Sequence, residues 1–182
     1  MNENIATQLS RLDLERVRGY KDLLDFYQGK QWEGRERRGE RRLIFNYARV
    51  FIDKVTSYLM SGVSCAVDAI EDSDEARARA QKAEKALYRV YEDNNLEQLD
   101  METEIDCAIL GDACFKVVWD AAGRKVRVTA PDSQGIYAWW WGDDISRVWR
   151  VASKYSLSAE ETQLLYQIKP KGKTATVVEV WT

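Results

Sequence analysis

The apolar residues of this chain change their spacing near Gly111 and Asp112. Before that point they recur at intervals of three and four, which is typical of helices with one buried face. After it they follow short alternating runs, which are typical of strands. We therefore predict an α+β fold in which N-terminal helices precede an antiparallel β-meander. Residues 1–112 form the predicted helical part, and residues 113–182 form the β part of the same domain.

The most apolar helical segment is predicted at about residues 47–60. Asn46 precedes it as an N-cap residue, and Gly62 suits a left-handed position after its end. We expect this helix to be buried and the rest of the protein to pack around it, with Phe51 and Val55 in the core. Its apolar face consists of Ala48, Phe51, Ile52, Val55 and Leu59.

Three further helices are predicted, at about residues 7–28, 73–93 and 96–110. Asp72, Ser73 and Asp74 are N-cap candidates for the second of them. The segment 63–70 is either a short strand or an extended connection. The buried face predicted for the helix at 73–93 consists of Ala83, Ala86, Leu87, Val90 and Tyr91.

Three hairpins are predicted in the β part. The first joins strands at 115–119 and 125–129, with Gly123 available for a positive φ in its turn. The second joins 135–141 to 145–154, and the third joins 163–168 to 174–181. The last strand runs to the end of the sequence, so we expect the chain to be the N-terminal part of a longer protein.

Composition limits the chemistry that this chain of 182 residues can perform. It contains no histidine, which is the commonest general base and a frequent metal ligand. Cys65, Cys107 and Cys114 have no metal-binding spacing, and we expect them to be reduced, buried thiols of an intracellular protein. No run approaches the ~20 apolar residues of a membrane span.

Charge is distributed unevenly along the chain. Residues 30–49 carry seven Lys or Arg and three Glu, whereas residues 71–106 carry twelve Asp or Glu and five Lys or Arg. The basic segment is a candidate contact for phosphates or for a neighbouring subunit, although a solvated loop is the favoured alternative. The candidate contact residues are Trp32, Arg35, Arg37, Arg38, Arg41 and Arg42.

Other patterns favour structure over catalysis. Asp143 and Asp144 follow three tryptophans, which favours an acidic turn over a carboxylate-pair site. Phosphate-binding glycine loops and a nucleophile elbow are absent from the sequence. We therefore predict no catalytic, cofactor-binding or metal site and no enzyme activity. A solvated or interface-facing helix is favoured over a metal site for Glu97, Asp100, Glu102, Glu104 and Asp106.

Several short motifs also follow one another in a distinctive order. They are Tyr27–Trp32 closing a helix, Arg42–Asn46 after an arginine-rich link, Tyr58–Gly62, Asp93-Asn94-Asn95, Ile109–Ala113, Phe115–Asp120, Gly123 and Pro131. This order over about residues 20–150 is similar to the N-terminal wing region of tailed-bacteriophage portal proteins, the head-to-tail connectors.

The resemblance implies a structural subunit of a ring, usually a dodecamer, at one capsid vertex. The ring would be the conduit for DNA packaging and ejection and the docking site for terminase and head-tail connector proteins. Implied partners are other copies of the chain, the major capsid protein, terminase, the connector proteins and double-stranded DNA, with no membrane and no cofactor. The implied location is the portal vertex of the virion, and the host cytoplasm during assembly.

The stem, clip and crown of the family have no match in this chain, so the resemblance assigns no channel-lining residue. Two other functions remain as alternatives. The first is a nucleic-acid-binding α+β module that uses the basic loop 30–49. The second is an enzyme on an unrecognised fold, which the absence of histidine disfavours.

Overall fold

The computed structural model describes residues 4–30, 32, 34, 37–59, 62 and 64–182. Five helices come first and antiparallel strands follow, with a sixth helix between the last two strands, so the predicted α+β class is confirmed. The helices are α1 (Ile5–Leu12), α2 (Leu14–Tyr27), α3 (Tyr47–Leu59), α4 (Asp74–Asp93), α5 (Leu96–Leu110) and α6 (Ala159–Tyr166). The strands are β1 (Lys116–Asp120), β2 (Lys125–Thr129), β3 (Ile136–Trp141), β4 (Asp144–Ser158) and β5 (Thr174–Trp181).

The chain forms two compact units. We call Met1–Asp22 together with Pro131–Thr182 the sheet unit, and Leu23–Ala130 the helix unit. The boundary between them falls within α2. The predicted organisation into a helical part, 1–112, and a β part, 113–182, of one domain stays a prediction.

The sheet unit is built on three antiparallel strands in the order β3-β4-β5. Leu9 of α1, Tyr137 of β3 and Ala152 of β4 form its core, and Trp139 and Val178 pack against them. β4 pairs with β3 through Tyr137 opposite Ala152, and with β5 from Val151–Trp181 to Ser158–Thr174. Because β4 has a strand on each side over its second half, its small residues lie at the centre of this core.

Arg16 connects α2 to the start of β3. Its guanidinium donates to the carbonyl of Ile136 at 2.7 Å and to the Tyr20 hydroxyl at 2.6 Å. It also donates to the carboxylate of Asp13 at 3.2 Å. Asp13 leaves the helical conformation (φ −124°, ψ 38°), so the single helix predicted at 7–28 is wrong and two helices occupy that range.

The strand predicted at 163–168 is also wrong, because α6 occupies most of this range. Ser158 accepts from the N–H of Glu161 at 3.2 Å, and the Glu161 carboxylate accepts from the N–H of Ser158 at 2.8 Å. This reciprocal capping box satisfies two free N–H groups of the first turn and favours a helix over a strand. β5 therefore pairs with β4 rather than with a strand at 163–168.

In the helix unit, α3 extends over the predicted residues as far as Leu59, and residue 60 lies outside the described residues. The Asn46 cap is confirmed, since its side-chain oxygen accepts from the N–H of Arg49 at 3.0 Å. The predicted burial is wrong: Phe51 is 69% exposed and Val55 is 38% exposed. α3 packs against α5, and the covered row is Ala48, Ile52 and Thr56.

α4 begins at the predicted cap, where Ser73 accepts from the N–H of Ala76 at 3.2 Å. Its predicted buried face is only partly right, because Val90 and Tyr91 are half-buried whereas Ala83, Ala86 and Leu87 are exposed. The segment 64–70 is an extended connection, and it is attached to α4 by two hydrogen bonds. The N–H of Val67 donates to Glu84 at 3.2 Å, and that of Cys65 donates to the Tyr88 hydroxyl at 3.3 Å.

α5 has the predicted bounds and ends at Gly111, whose φ of 77° is left-handed. The β1–β2 hairpin follows, with the side chain of Asp120 accepting from the N–H groups of Ala122 and Gly123. The positive φ predicted for Gly123 is wrong, since Arg124 adopts it at 51°. A Cβ at Gly123 would lie 2.7 Å from a carboxylate oxygen of Asp120, so a larger residue there would have to displace the side chain that accepts from the turn N–H groups.

All three cysteines are free thiols. Cys65 and Cys114 are half-buried, and burial raises the pKa of Cys114. Cys107 is exposed, so its predicted burial is wrong.

Candidate functional site

The candidate contact residues lie in the loop between α2 and α3, which we call the arginine loop (residues 30–46). Its ends are held together by Asn46, whose side-chain nitrogen donates to the carbonyl of Tyr27 at 2.6 Å. The Tyr27 hydroxyl donates to Asp53 of α3 at 2.6 Å, and Arg49 pairs with the same carboxylate at 3.5 Å. Burial, and then the hydrogen bond to Asp53, raise the pKa of Tyr27. The two ends of the loop are therefore fixed by contacts between α2 and α3.

Arg42 is the centre of the loop. Its guanidinium donates to the Glu40 carboxylate at 3.0 Å and to the carbonyl of Gly34 at 3.0 Å. It also lies over the ring of Trp32, 5.6 Å from the ring centroid. The indole N–H of Trp32 donates to the carbonyl of Leu43 at 3.1 Å, so the two sides of the loop are joined by a hydrogen bond. Arg42 and Trp32 thus stabilise the loop. The guanidinium of Arg42 is occupied by its contacts within the loop.

Glu40 organises the loop together with Arg42. Its carboxylate accepts from the N–H of Arg37 at 2.7 Å, and its own N–H donates to the carbonyl of Arg37 at 2.9 Å. The hydrogen bond from Arg42, followed by that from Arg37, lowers the pKa of the Glu40 carboxyl. In the sequence, Glu40 was counted only as one of the three Glu of residues 30–49, although the short spacing from Glu40 to Arg42 could have indicated the pair.

Three other arginines of the loop are exposed: Arg37, Arg38 and Arg41. Among the described residues, none of these three guanidinium groups has an ion pair. Arg35 lies outside the described residues. The arrangement therefore presents three exposed positive charges on a loop that Arg42, Glu40 and Trp32 hold in shape, and it can contact an anionic surface.

A second surface lies on α3, and Phe51 is the one residue of it that the sequence pattern assigned to the core. Tyr47, Val50, Phe51 and Tyr58 follow one another at helical spacing, and we call them the aromatic stripe. Tyr47 is 76% exposed and Tyr58 is 71% exposed. Phe45 stacks on Tyr47 with ring centroids 6.3 Å apart, and Lys54 lies 4.7 Å from the centroid of the Tyr58 ring. The stripe is thus apolar, solvent-exposed and bordered by positive charge.

α5 carries the opposite charge. It contains five acidic residues and no Lys or Arg. Glu97 and Glu102 are exposed, and neither forms an ion pair with any described residue. The acidic residues are not brought together as metal ligands, because the described part of the chain contains no group of three His, Cys, Asp or Glu suited to hold an ion. None of the described helices is long and apolar enough to cross a membrane.

Comparison with known proteins places these features in a family. A family model described as phage portal protein, SPP1 Gp6-like, matches residues 9–182, which include the arginine loop, α3 and α5. No curated protein matches the chain. The resemblance to portal proteins noted in the sequence is confirmed by this match, which extends over nearly the whole chain. This chain belongs to the SPP1 Gp6-like family of phage portal proteins.

Proposed function

We propose that this chain builds the wing of a portal ring at one vertex of the capsid. Portal proteins are structural components of the phage capsid that form oligomeric rings, and they associate with capsid protein and terminase. The observation that carries the proposal is the family match over residues 9–182. A wing is an outer wall of the ring, so its surfaces hold neighbouring proteins rather than perform chemistry.

The finer features of this role are part of the proposal. The ring is a dodecamer that conducts double-stranded DNA during packaging and ejection. It docks terminase and the head-tail connector proteins, and the major capsid protein surrounds it. The subunit passes through the host cytoplasm during assembly and then resides in the virion.

The arginine loop has a defined place in this function. Its exposed charges, Arg37, Arg38 and Arg41, are held on a loop whose base is fixed by the Tyr27–Asp53 and Asn46 contacts. Exposed ion pairs contribute only about 0–1 kcal/mol each, so these arginines select the partner and its orientation more than they hold it. Adhesion has to come from apolar surface.

The proposed role requires no catalysis. The chain lacks histidine and a phosphate-binding glycine loop. We therefore expect no hydrolysis of ATP or DNA by the purified protein with magnesium. Hydrolysis that one point mutation abolishes would contradict this part of the proposal.

Imaging of the full-length protein by negative-stain electron microscopy tests the proposal. Closed rings with a central channel are expected, and light scattering after size exclusion should give a mass that corresponds to about twelve subunits. A full-length protein that stays monomeric under all conditions of salt and concentration would refute the ring role.

A second candidate function is nucleic-acid binding through the arginine loop, which the three exposed arginines favour. Three neutralised phosphates would give a log–log salt slope of about −2.7, so raising salt from ~50 to ~200 mM should weaken binding by roughly 40-fold. The three arginines lie on a loop rather than on a helix that could enter the major groove, so binding should be independent of sequence. Binding that prefers one sequence, or that survives ~200 mM salt, would support a DNA reader instead.

A further inference from the structure

The aromatic stripe is the largest unexplained feature of the helix unit. Its residues are as apolar as a helix core, and yet Tyr47, Phe51 and Tyr58 are each about 70% exposed or more. We propose that the stripe is a subunit interface, and that a second copy of this chain covers it with the surface formed by its α5 and β1. This inference rests on the proposed ring, because it names the surfaces through which neighbouring subunits meet.

The size of the stripe fits such an interface. Each aromatic side chain can bury about 150–250 Å². With Phe45 included, the exposed aromatic rings therefore leave roughly 400–700 Å² of apolar surface in contact with water. The largest patch on an ordinary monomer is about 300–600 Å², and a stable interface buries about 800 Å² per partner. The stripe alone therefore supplies at least about half of the area that one partner buries in a stable interface.

The composition of the stripe also fits. Tyrosine and arginine are enriched among the residues that dominate binding energy. Here Tyr47 and Tyr58 lie on the same helix as Arg49, and the arginine loop enters that helix directly. Residues 37–59 carry a net charge of +4 from six Lys or Arg and two Asp or Glu. A partner surface must therefore be apolar and negatively charged.

The helix unit itself carries exposed acidic and apolar residues, on α5 and on β1. Glu97 and Glu102 of α5 are exposed and have no ion pair with any described residue, and Met101 beside them is partly exposed. β1 follows α5 closely, and Val117 and Trp119 are both more than half exposed. These two residues are two positions apart in the strand, so they lie on the same face of the hairpin.

One chain therefore carries both halves of a complementary pair. A basic, aromatic surface on the arginine loop and α3 meets an acidic, apolar surface on α5 and β1 of the next copy. Because the two surfaces differ, the contact is heterologous, and each copy has one surface for each of two neighbours. Such a contact closes into a ring when the rotation between copies allows it.

Self-association of a Phe51→Glu variant tests the apolar half of the contact. The exposed position tolerates a charge in the single chain, so the melting temperature at low concentration should be unchanged. Self-association of the variant should be weaker by roughly 30-fold or more, which is the effect of losing a dominant interface residue. Light scattering after size exclusion over a range of concentrations measures this.

Leu165→Glu is the matched control, since Leu165 is a helical residue of α6 with a similar exposure of 67%. It should associate as the unmodified chain does. The inference is wrong if the unmodified chain stays monomeric at all concentrations, if Phe51→Glu associates equally well, or if Phe51→Glu unfolds the chain as a core substitution would.

A charge-reversal experiment identifies the occupant as a second copy. One variant carries Arg38→Glu and Arg41→Glu, and the other carries Glu97→Lys and Glu102→Lys. Each alone should associate more weakly than the unmodified chain, whereas an equimolar mixture should recover association because the reversed surfaces face each other. A mixture that associates no better than the separate variants would refute the proposal that a second copy covers the stripe with its α5 and β1.

The same substitutions in the full-length protein separate this inference from the proposed function. Loss of rings in Phe51→Glu, with rings retained in Leu165→Glu, supports both the portal function and the stripe as the subunit interface. Rings that persist in Phe51→Glu leave the portal function standing and refute the stripe as the interface. A full-length protein that forms no rings in any variant, the unmodified one included, refutes the proposed function itself.

Discussion

The core of the sheet unit and the aromatic stripe of α3 share an apolar pattern but differ in what covers them. Tyr137 in β3 is 4% exposed, whereas Phe51 in α3 is 69% exposed. Both lie in regular elements whose apolar residues recur with the expected period. The comparison teaches that periodicity predicts which face of an element is apolar, but not whether the same chain supplies a cover for it.

The physical reason is the number of neighbours that each element has. β4 pairs with β3 on one side and β5 on the other, and α1 contributes Leu9 to the core beside Tyr137. α3 packs against α5 by the row that contains Ala48, Ile52 and Thr56. The stripe lies on a different side of α3 and therefore stays in water.

The largest effect on stability is expected for Tyr137→Ala. Removing this buried ring should lower the free energy of unfolding by about 3–5 kcal/mol, because a cavity remains in the core. Chemical denaturation monitored by tryptophan fluorescence measures the change. A loss below ~1 kcal/mol would show that the sheet unit has no core at this position.

Asn94→Ala should have the next largest effect. The Asn94 side chain donates to the carbonyl of Val126 at 3.1 Å and accepts from the N–H of Val128 at 2.9 Å, so it covers the edge of β2. Its removal leaves two backbone groups without their partner and should cost about 1–3 kcal/mol. Amide exchange at Val128 should become faster, whereas exchange in β3 should not change.

The ends of helices were the features most accurately predicted from the sequence. Asn46, Ser73 and Gly111 act locally, so the residue type at each position was enough to predict the start or end of a helix. α6 was missed for a related reason. Its capping box, Ser158 with Glu161, was present in the sequence, but the apolar residues that follow were interpreted as a strand.

Ser158→Ala should give a smaller loss of about 1 kcal/mol, since one cap of a short helix is removed. Circular dichroism during denaturation measures it. Ser156→Ala is the matched control, because Ser156 is an exposed residue of β4 with no cap to lose. An equal effect of the two substitutions would show that the capping box does not stabilise α6.

The candidate site was only partly predictable. The charge of the arginine loop was evident in the sequence, but Arg42 was grouped with the free arginines although it bonds Glu40 and stacks on Trp32. These contacts depend on the path of the loop. Of the aromatic stripe, only Phe51 was singled out in the sequence, and it was assigned to the core, because no sequence pattern shows whether the same chain covers an apolar residue.

A small pH-dependent effect is expected in the arginine loop. The pKa of Glu40 is lower in the folded loop than its ordinary value of 4.5, because Arg42 and Arg37 donate to the ionised carboxylate. Ionised Glu40 therefore stabilises the folded loop at pH values above the ordinary pKa of 4.5. This stabilisation is lost as the pH falls through the lowered pKa of the folded state. The amide resonance of Arg37 should titrate with Glu40 in NMR spectra, and Glu40→Gln should abolish the titration. A midpoint above 4.5 would contradict the contacts.

The smallest effect, and the most direct test of the account, is expected for Phe51→Ala. Its free energy of unfolding should be compared with that of Tyr137→Ala, at a low concentration where copies do not associate. The account predicts a change within about 0.5 kcal/mol for Phe51→Ala, as at an ordinary surface position, beside the loss of about 3–5 kcal/mol for Tyr137→Ala. Equal losses for the two variants would show that α3 is buried within the single chain. They would contradict the claim that a second subunit covers its aromatic stripe.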